Sequence, residues 1–146
     1  MRTSSRGFTL IELLIVVAII GIIAAIAIPN LLNAVDKGKQ KRTMSDLRSI
    51  GTAVEAYAVD NTFYPTAASL PAMKAVIDPV FFDVMPLNDG WAHAFQCDSL
   101  LSSYTIYSQG KDGSGTNCAA GATSTFVEEI CLVNGRFQRY PDGPQR

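Results

Sequence analysis

The sequence predicts an α+β chain: one long N-terminal helix, apolar in its first half and amphipathic in its second, packed on a small antiparallel sheet of three or four strands. Three observations carry that expectation. Phe8 to Ile28 is an apolar run without Pro, Lys or Arg and with a single ionisable side chain, Glu12; at about 1.5 Å rise per residue it spans roughly 30 Å of hydrocarbon. Past Pro29, apolar residues recur at helical intervals of three and four. From Trp91 onward the pattern turns to short strand-like runs, the last two joined by Asn134-Gly135.

The chain starts with a basic leader, Met1 to Gly7, containing Arg2 and Arg6. A secretory signal has a shorter apolar region of about 7 to 15 residues followed by a small-residue cleavage site, and neither limit fits. Gly7 instead precedes the apolar run. Cutting there removes residues 1–7 and leaves Phe8 with a new amine. Glu12 needs a partner in lipid, because a charged side chain within a spanning helix costs about 2.5 to 3.5 kcal/mol on insertion scales. The Phe8 amine of a neighbouring chain would supply one.

The spanning and assembly segment is expected at residues 8–29 and the head at 30–146. Pro29 is tolerated in such a helix where neighbouring groups re-satisfy the freed carbonyl, and a kink is the expected result. Leu31, Leu32 and Val35, then Met44, Leu47, Ile50, Gly51, Val54 and Tyr57, form the stripe of the second half. Asp36, Lys37, Lys41, Asp46, Arg48 and Glu55 fall mostly off it, so one helix is read from Phe8 to about Val59, softened at Gly21, Pro29 and Gly38. Asp60-Asn61 ends the pattern. Thr62 to Gly90 carries Pro65, Pro71, Pro79 and Pro86 and reads as a connection with a short helix around Leu70 to Ile77. Strands are expected at Trp91–Cys97, Tyr104–Ser108, Thr125–Val133 and Arg136–Tyr140. Asn134-Gly135 suits a type I′ hairpin because both residues accept positive φ. Pro141 to Arg146 is expected to be an exposed tail.

Gly7-Phe8-Thr9-Leu10-Ile11-Glu12 resembles the processing site of type IV prepilins and type II secretion pseudopilins. The resemblance implies the pilin fold, cleavage by a prepilin peptidase between Gly7 and Phe8, methylation of Phe8, and a role for Glu12 in assembly. It also implies flexibility between Gly21 and Pro29 as subunits polymerise; the plainer roles of those residues are close helix packing and the membrane exit. Tyr64-Pro65, Asp89-Gly90-Trp91 with Phe95, and Gly110-Lys111-Asp112-Gly113 look like stretches of the major pseudopilin of type II secretion. A type IVa pilus subunit is the alternative, and a membrane-anchored periplasmic binding module a further one that leaves Gly7 and Glu12 without a reason. The implied partners are further copies of the chain in a helical homopolymer, the peptidase, an inner-membrane assembly platform, and minor pilins or pseudopilins.

Charge alone does not orient the chain. Arg2 and Arg6 flank the apolar run on one side, and Lys37, Lys39, Lys41 and Arg42 follow it on the other. The resemblance places the N-terminus in the cytoplasm and the head in the periplasm, first on the bacterial inner membrane and later in a filament. The second basic cluster is read as a solvated helix face, the alternatives being anionic lipid or acidic residues of a neighbour.

The loop from Gln109 to Asn117 is the one stretch suited to an ion. By resemblance it corresponds to the calcium-binding loop of major pseudopilins, with Asp112, Asn117 and Glu129 as candidate ligands. Calcium takes six to eight oxygens, which carboxylates, Asn117 and backbone carbonyls can provide. The loop spacing, a cysteine and Glu129 in place of Asp depart from the family pattern, and a Gly-rich turn is the competing reading. No cofactor is required. Cys97, Cys118 and Cys131 lie in the presumed periplasmic head, where one bridge is expected and one thiol remains. Cys97 and Cys131 fall at one end of the sheet, yet an intervening strand would hold them about 9 to 10 Å apart, beyond disulfide reach. Cys118 can reach either. Pilins often close a C-terminal loop with a disulfide, and that resemblance favours Cys118 with Cys131.

The formal charge of −1 gives no case for nucleic acid, and removal of Arg2 and Arg6 leaves 10 of the 12 basic side chains against 13 acidic ones, or −3. An enzyme reading finds little support. His93 is the only histidine, and the sequence contains no nucleophile elbow, paired metal-ligand spacing or P-loop. Trp91, Phe95 and Phe137 read as core.

Overall fold

The structure is a computed structural model that describes residues 7–78 and 80–145; the leader residues 1–6, including Arg2 and Arg6, lie outside the described residues. Helix α1 is Leu10–Asn61 and α2 is Leu70–Ile77; the strands are β1 Gln96–Leu100, β2 Ser103–Ser108, β3 Gly121–Thr123, β4 Ile130–Val133 and β5 Arg136–Pro141. The chain divides after Val35 into two compact units.

In the first unit α1 presents apolar side chains all round, with Leu10, Ile11, Ile22, Ile26 and Leu31 all well exposed in the single chain. A helix apolar on every face needs lipid or other helices around it. Pro29 lies within α1, and Asn30 Nδ2 donates to the Ile26 carbonyl at 3.0 Å.

The second unit, Asp36–Arg146, holds the core. Leu47, Ile50 and Val54 of α1 pack with Leu70, Met73 and Ile77 of α2 and with Tyr104, Ile106, Ile130 and Leu132 of the sheet. The spacing Leu47, Ile50, Gly51, Val54 is the stripe expected from the sequence. Gly51 is needed for contact, since a Cβ there would run into the Leu132 side chain. Ser69 caps α2, its hydroxyl accepting from Ala72 N, and Pro71 sits in the first turn, where the missing N–H costs nothing.

Among the described residues the sheet has five strands in the order β1-β2-β4-β5-β3. The first three pairings are antiparallel and β3 runs parallel to β5, so the sheet is mixed rather than wholly antiparallel. Asn134 and Gly135, at φ 45° and 74°, turn β4 into β5.

Three local expectations are corrected. Trp91–Cys97 is not one strand: Asp89 Oδ1 accepts from both Trp91 N and His93 N at 2.9 Å, which removes those donors from a ladder, and β1 starts only at Gln96. Thr125–Val133 is a strand only from Ile130, because Glu128 Oε2 accepts from Ser124 N and Thr125 N and closes a turn. The tail is exposed at Asp142, Gly143 and Pro144 as expected, but Gln145 is buried, donating to the Thr123 carbonyl at 2.7 Å and accepting from Gln40 Nε2 at 3.2 Å.

Candidate processing and assembly site

The N-terminal motif is laid out in the open. Gly7 and Phe8 are exposed, and Phe8 precedes the helix rather than starting it. Thr9 is its N-cap: Leu13 N donates to the Thr9 carbonyl, and Glu12 N donates to Thr9 Oγ1 at 3.3 Å. Glu12 reaches back in return, its Oε2 accepting from Thr9 N at 2.8 Å and from Thr9 Oγ1 at 2.7 Å. This reciprocal capping box was readable in the Thr-x-x-Glu spacing. Sequence reasoning assigned Glu12 only to a neighbouring chain, whereas one face of the carboxylate is met by its own helix.

In the head, Asp89-Gly90-Trp91 forms a clamp on α1. Asp89 is buried and also accepts from Ser108 Oγ at 2.6 Å. Gly90 N donates to Thr43 Oγ1 at 2.9 Å, and any Cβ on Gly90 would collide with the Lys39 carbonyl. Trp91 Nε1 donates to Asp36 Oδ1 at 3.0 Å, while Lys111 Nζ sits 2.8 Å from Asp36 Oδ2. Burial pushes the Asp36 carboxyl up, but the Lys111 ammonium and the Trp91 indole outweigh it and leave the group below its ordinary value. Asp36, placed off the apolar stripe by periodicity, is thus a buried part of the head. Trp91 is half-buried, Phe95 is in the core, and Phe137 is packed against it. Arg48 lies over the Phe137 ring at 4.7 Å. His93 Nδ1 lies 3.0 Å from the Gly110 carbonyl.

The candidate ion loop has a different internal chemistry from the one expected. Asp112 accepts from Ser114 N and Ser114 Oγ. Glu129 accepts from Asn117 N at 3.0 Å through Oε1 and faces Arg139 Nε through Oε2 at 3.5 Å. Among the described residues no group of three or more His, Cys, Asp or Glu side chains is placed to hold a metal. Asn117 presents its backbone N–H, not an oxygen, to Glu129, and its own Oδ1 accepts from Ala119 N. Asp112 is thus engaged by Ser114, and Glu129 by Asn117 N and the Arg139 guanidinium.

Cys118 and Cys131 are joined by a disulfide, with their Cα atoms 5.6 Å apart. Cys97 is buried and free. Strand β2 lies between Cys97 and Cys131, Cys97 pairing with Ile106 and Cys131 with Tyr107, which keeps that couple apart. Burial, with the Asp98 charge beside it, pushes the Cys97 thiol up to about 12.

A glycine and phenylalanine set before an exposed apolar helix, which continues into an α+β head, define the class of N-methylated, pilin-like subunits. The prokaryotic N-terminal methylation motif matches residues 2–28, and type II secretion system (T2SS), protein G, matches residues 30–123. The chain belongs to this protein G family, the major pseudopilins. It is 33% identical over 116 residues to a type II secretion system core protein G of Klebsiella michiganensis, covering 77% of this chain and 80% of that one. The Escherichia coli K12 protein of the same name is 27% identical over 132 residues, covering 88% and 90%. The Aeromonas hydrophila protein is 30% identical over 125 residues, covering 77% and 87%. No solved structure gives a significant match.

Proposed function

We propose that the chain is a structural filament subunit that is cut between Gly7 and Phe8 by a prepilin peptidase, methylated on the Phe8 amine, and polymerised from the inner membrane with its head in the periplasm. The observation that carries this reading is the position of Gly7: it stands three residues before a helix whose most apolar window has none of its residues buried within the chain. Such a surface requires lipid before assembly and neighbouring helices after it. Glu12 then serves twice, holding Thr9 of its own chain and pairing through its remaining lone pairs with the Phe8 amine of a neighbour. A carboxylate accepts about four hydrogen bonds, so both uses are compatible. Gly21 and Pro29 are the places where α1 loosens as subunits pack. The platform and minor pseudopilins are the partners this reading requires.

The test is the N-terminal mass of the membrane-extracted protein from its native host, read from intact and fragment spectra. A chain beginning at Phe8 with one added methyl is expected. A chain beginning at Met1 would overturn the proposal.

A further inference from the structure

We infer that the guanidinium of Arg139 is the resident cation beside the Gly-rich loop, holding Glu129 of the candidate ligand set together with its neighbour Glu128, so that the order of this head does not depend on calcium. The inference concerns the head alone and stands whether or not the chain is cut at Gly7.

Glu128 and Glu129 are adjacent carboxylates that converge on one positive charge. Arg139 Nη2 lies 2.7 Å from Glu128 Oε1, and Arg139 Nε lies 3.5 Å from Glu129 Oε2. The remaining oxygens are also engaged: Glu128 Oε2 takes Ser124 N and Thr125 N, and Glu129 Oε1 takes Asn117 N. Three of the four carboxylate oxygens thus accept hydrogen bonds, while Glu129 Oε2 meets Arg139 only as a 3.5 Å ion pair in which the enclosed Nε–H makes no hydrogen bond. The Arg139 side chain is only 14% exposed, which makes this an enclosed pairing rather than a loose surface one. A guanidinium is always charged and presents its donors in a fixed fork, the geometry that suits two carboxylates at once.

The position of Arg139 in the sheet explains why one side chain can serve the whole loop. Gly121 of β3 pairs with Arg139 from one side and Cys131 of β4 pairs with it from the other. Cys131 carries the disulfide to Cys118. A single rung of the sheet therefore gathers the loop's ionic clasp, its covalent clasp and its parallel edge strand. Cys131 and Arg139 both lie beyond residue 123, where the family match ends. A metal entering here would have to displace a cation tethered within the same sheet, which acts at high effective concentration.

The experiment uses the full chain in detergent. Metal analysis of protein purified without chelator comes first, followed by thermal unfolding with millimolar calcium and with chelator. Less than stoichiometric calcium and midpoints agreeing within about a degree are expected. One calcium per chain, or a midpoint raised several degrees by calcium, would overturn the inference. Arg139→Gln is expected to lower the midpoint by on the order of 10 °C, because it takes away the cation and leaves Glu128 and Glu129 with neutral donors alone. In a Glu128→Gln, Glu129→Gln background most of that loss should vanish; an equal loss in both backgrounds would mean that Arg139 acts by packing alone and would sink the proposal. Where Arg139→Gln shows no folding transition, the calcium measurements on the unaltered chain decide.

Discussion

Glu12 shows how one side chain answers to two demands. Its capping box with Thr9 stabilises the first turn of α1, while in the proposed filament its place inside an apolar helix would set it among neighbouring chains. Glu12→Ala should still insert, since it removes a charge from lipid, and filament yield on sheared-cell preparations should fall sharply. Normal filaments from that variant would dismiss the pairing with a neighbour's amine. Trp91 permits a second test, because its indole donates to the buried carboxylate of Asp36. Trp91→Phe should cost about 1 to 2 kcal/mol in urea unfolding of the detergent-solubilised chain, the usual size for a bond to a charged group. The processing motif was legible because its residues are contiguous. The partners of Asp36 were not, lying 55 and 75 positions along the chain.

Among the elements, α1 and the β4–β5 hairpin were legible from a local cause, a helical stripe and Asn134-Gly135, and α2 from the length of the connection it interrupts; its cap at Ser69 and Pro71 was seen only in the structure. The two overextended strands both turn on side-chain capture of backbone N–H groups. Asp89 ends what periodicity reads as a strand starting at Trp91, and Glu128 does the same to the run from Thr125. Strand β3 has three residues and pairs in parallel with β5, and nothing in Gly-Ala-Thr signals that. The disulfide closes a sequence separation of 13 residues. For a loop of that size chain entropy predicts about 3 kcal/mol. Cys118→Ser should therefore lower the stability of the head by about 2 to 3 kcal/mol, and reductant should do the same to the unaltered chain; an unchanged unfolding midpoint would show that the bridge constrains nothing.

For the molecule as a whole, acid sensitivity follows from two carboxyls. Asp36 and Glu128 both sit below their ordinary values: for Glu128 the Ser124 N–H acts against the opposing effect of burial, with Thr125 and Arg139 adding to it. Lowered carboxyls bind fewer protons folded than unfolded, so stability rises with pH across that interval. Their contribution is complete above the unfolded values near 4 and is lost as pH falls through the folded ones. The unfolding midpoint should be level between about pH 5 and 7 and drop below about pH 4; a midpoint level down to pH 3 would contradict this. Acid loss would come through the helix–loop clamp and the Arg139 rung together.

The covalent clasp beside Arg139 has one more consequence. A bond between Cys118 and Cys131 can persist only in an oxidising compartment, and on the proposed topology the head reaches one only by crossing the membrane. The cross-link is then a record of passage: a subunit whose head stalls on the cytoplasmic side carries three thiols, while one that has crossed carries a single thiol, buried Cys97. Counting thiols in denatured subunits would distinguish the exported pool from the stranded one without isolating a filament.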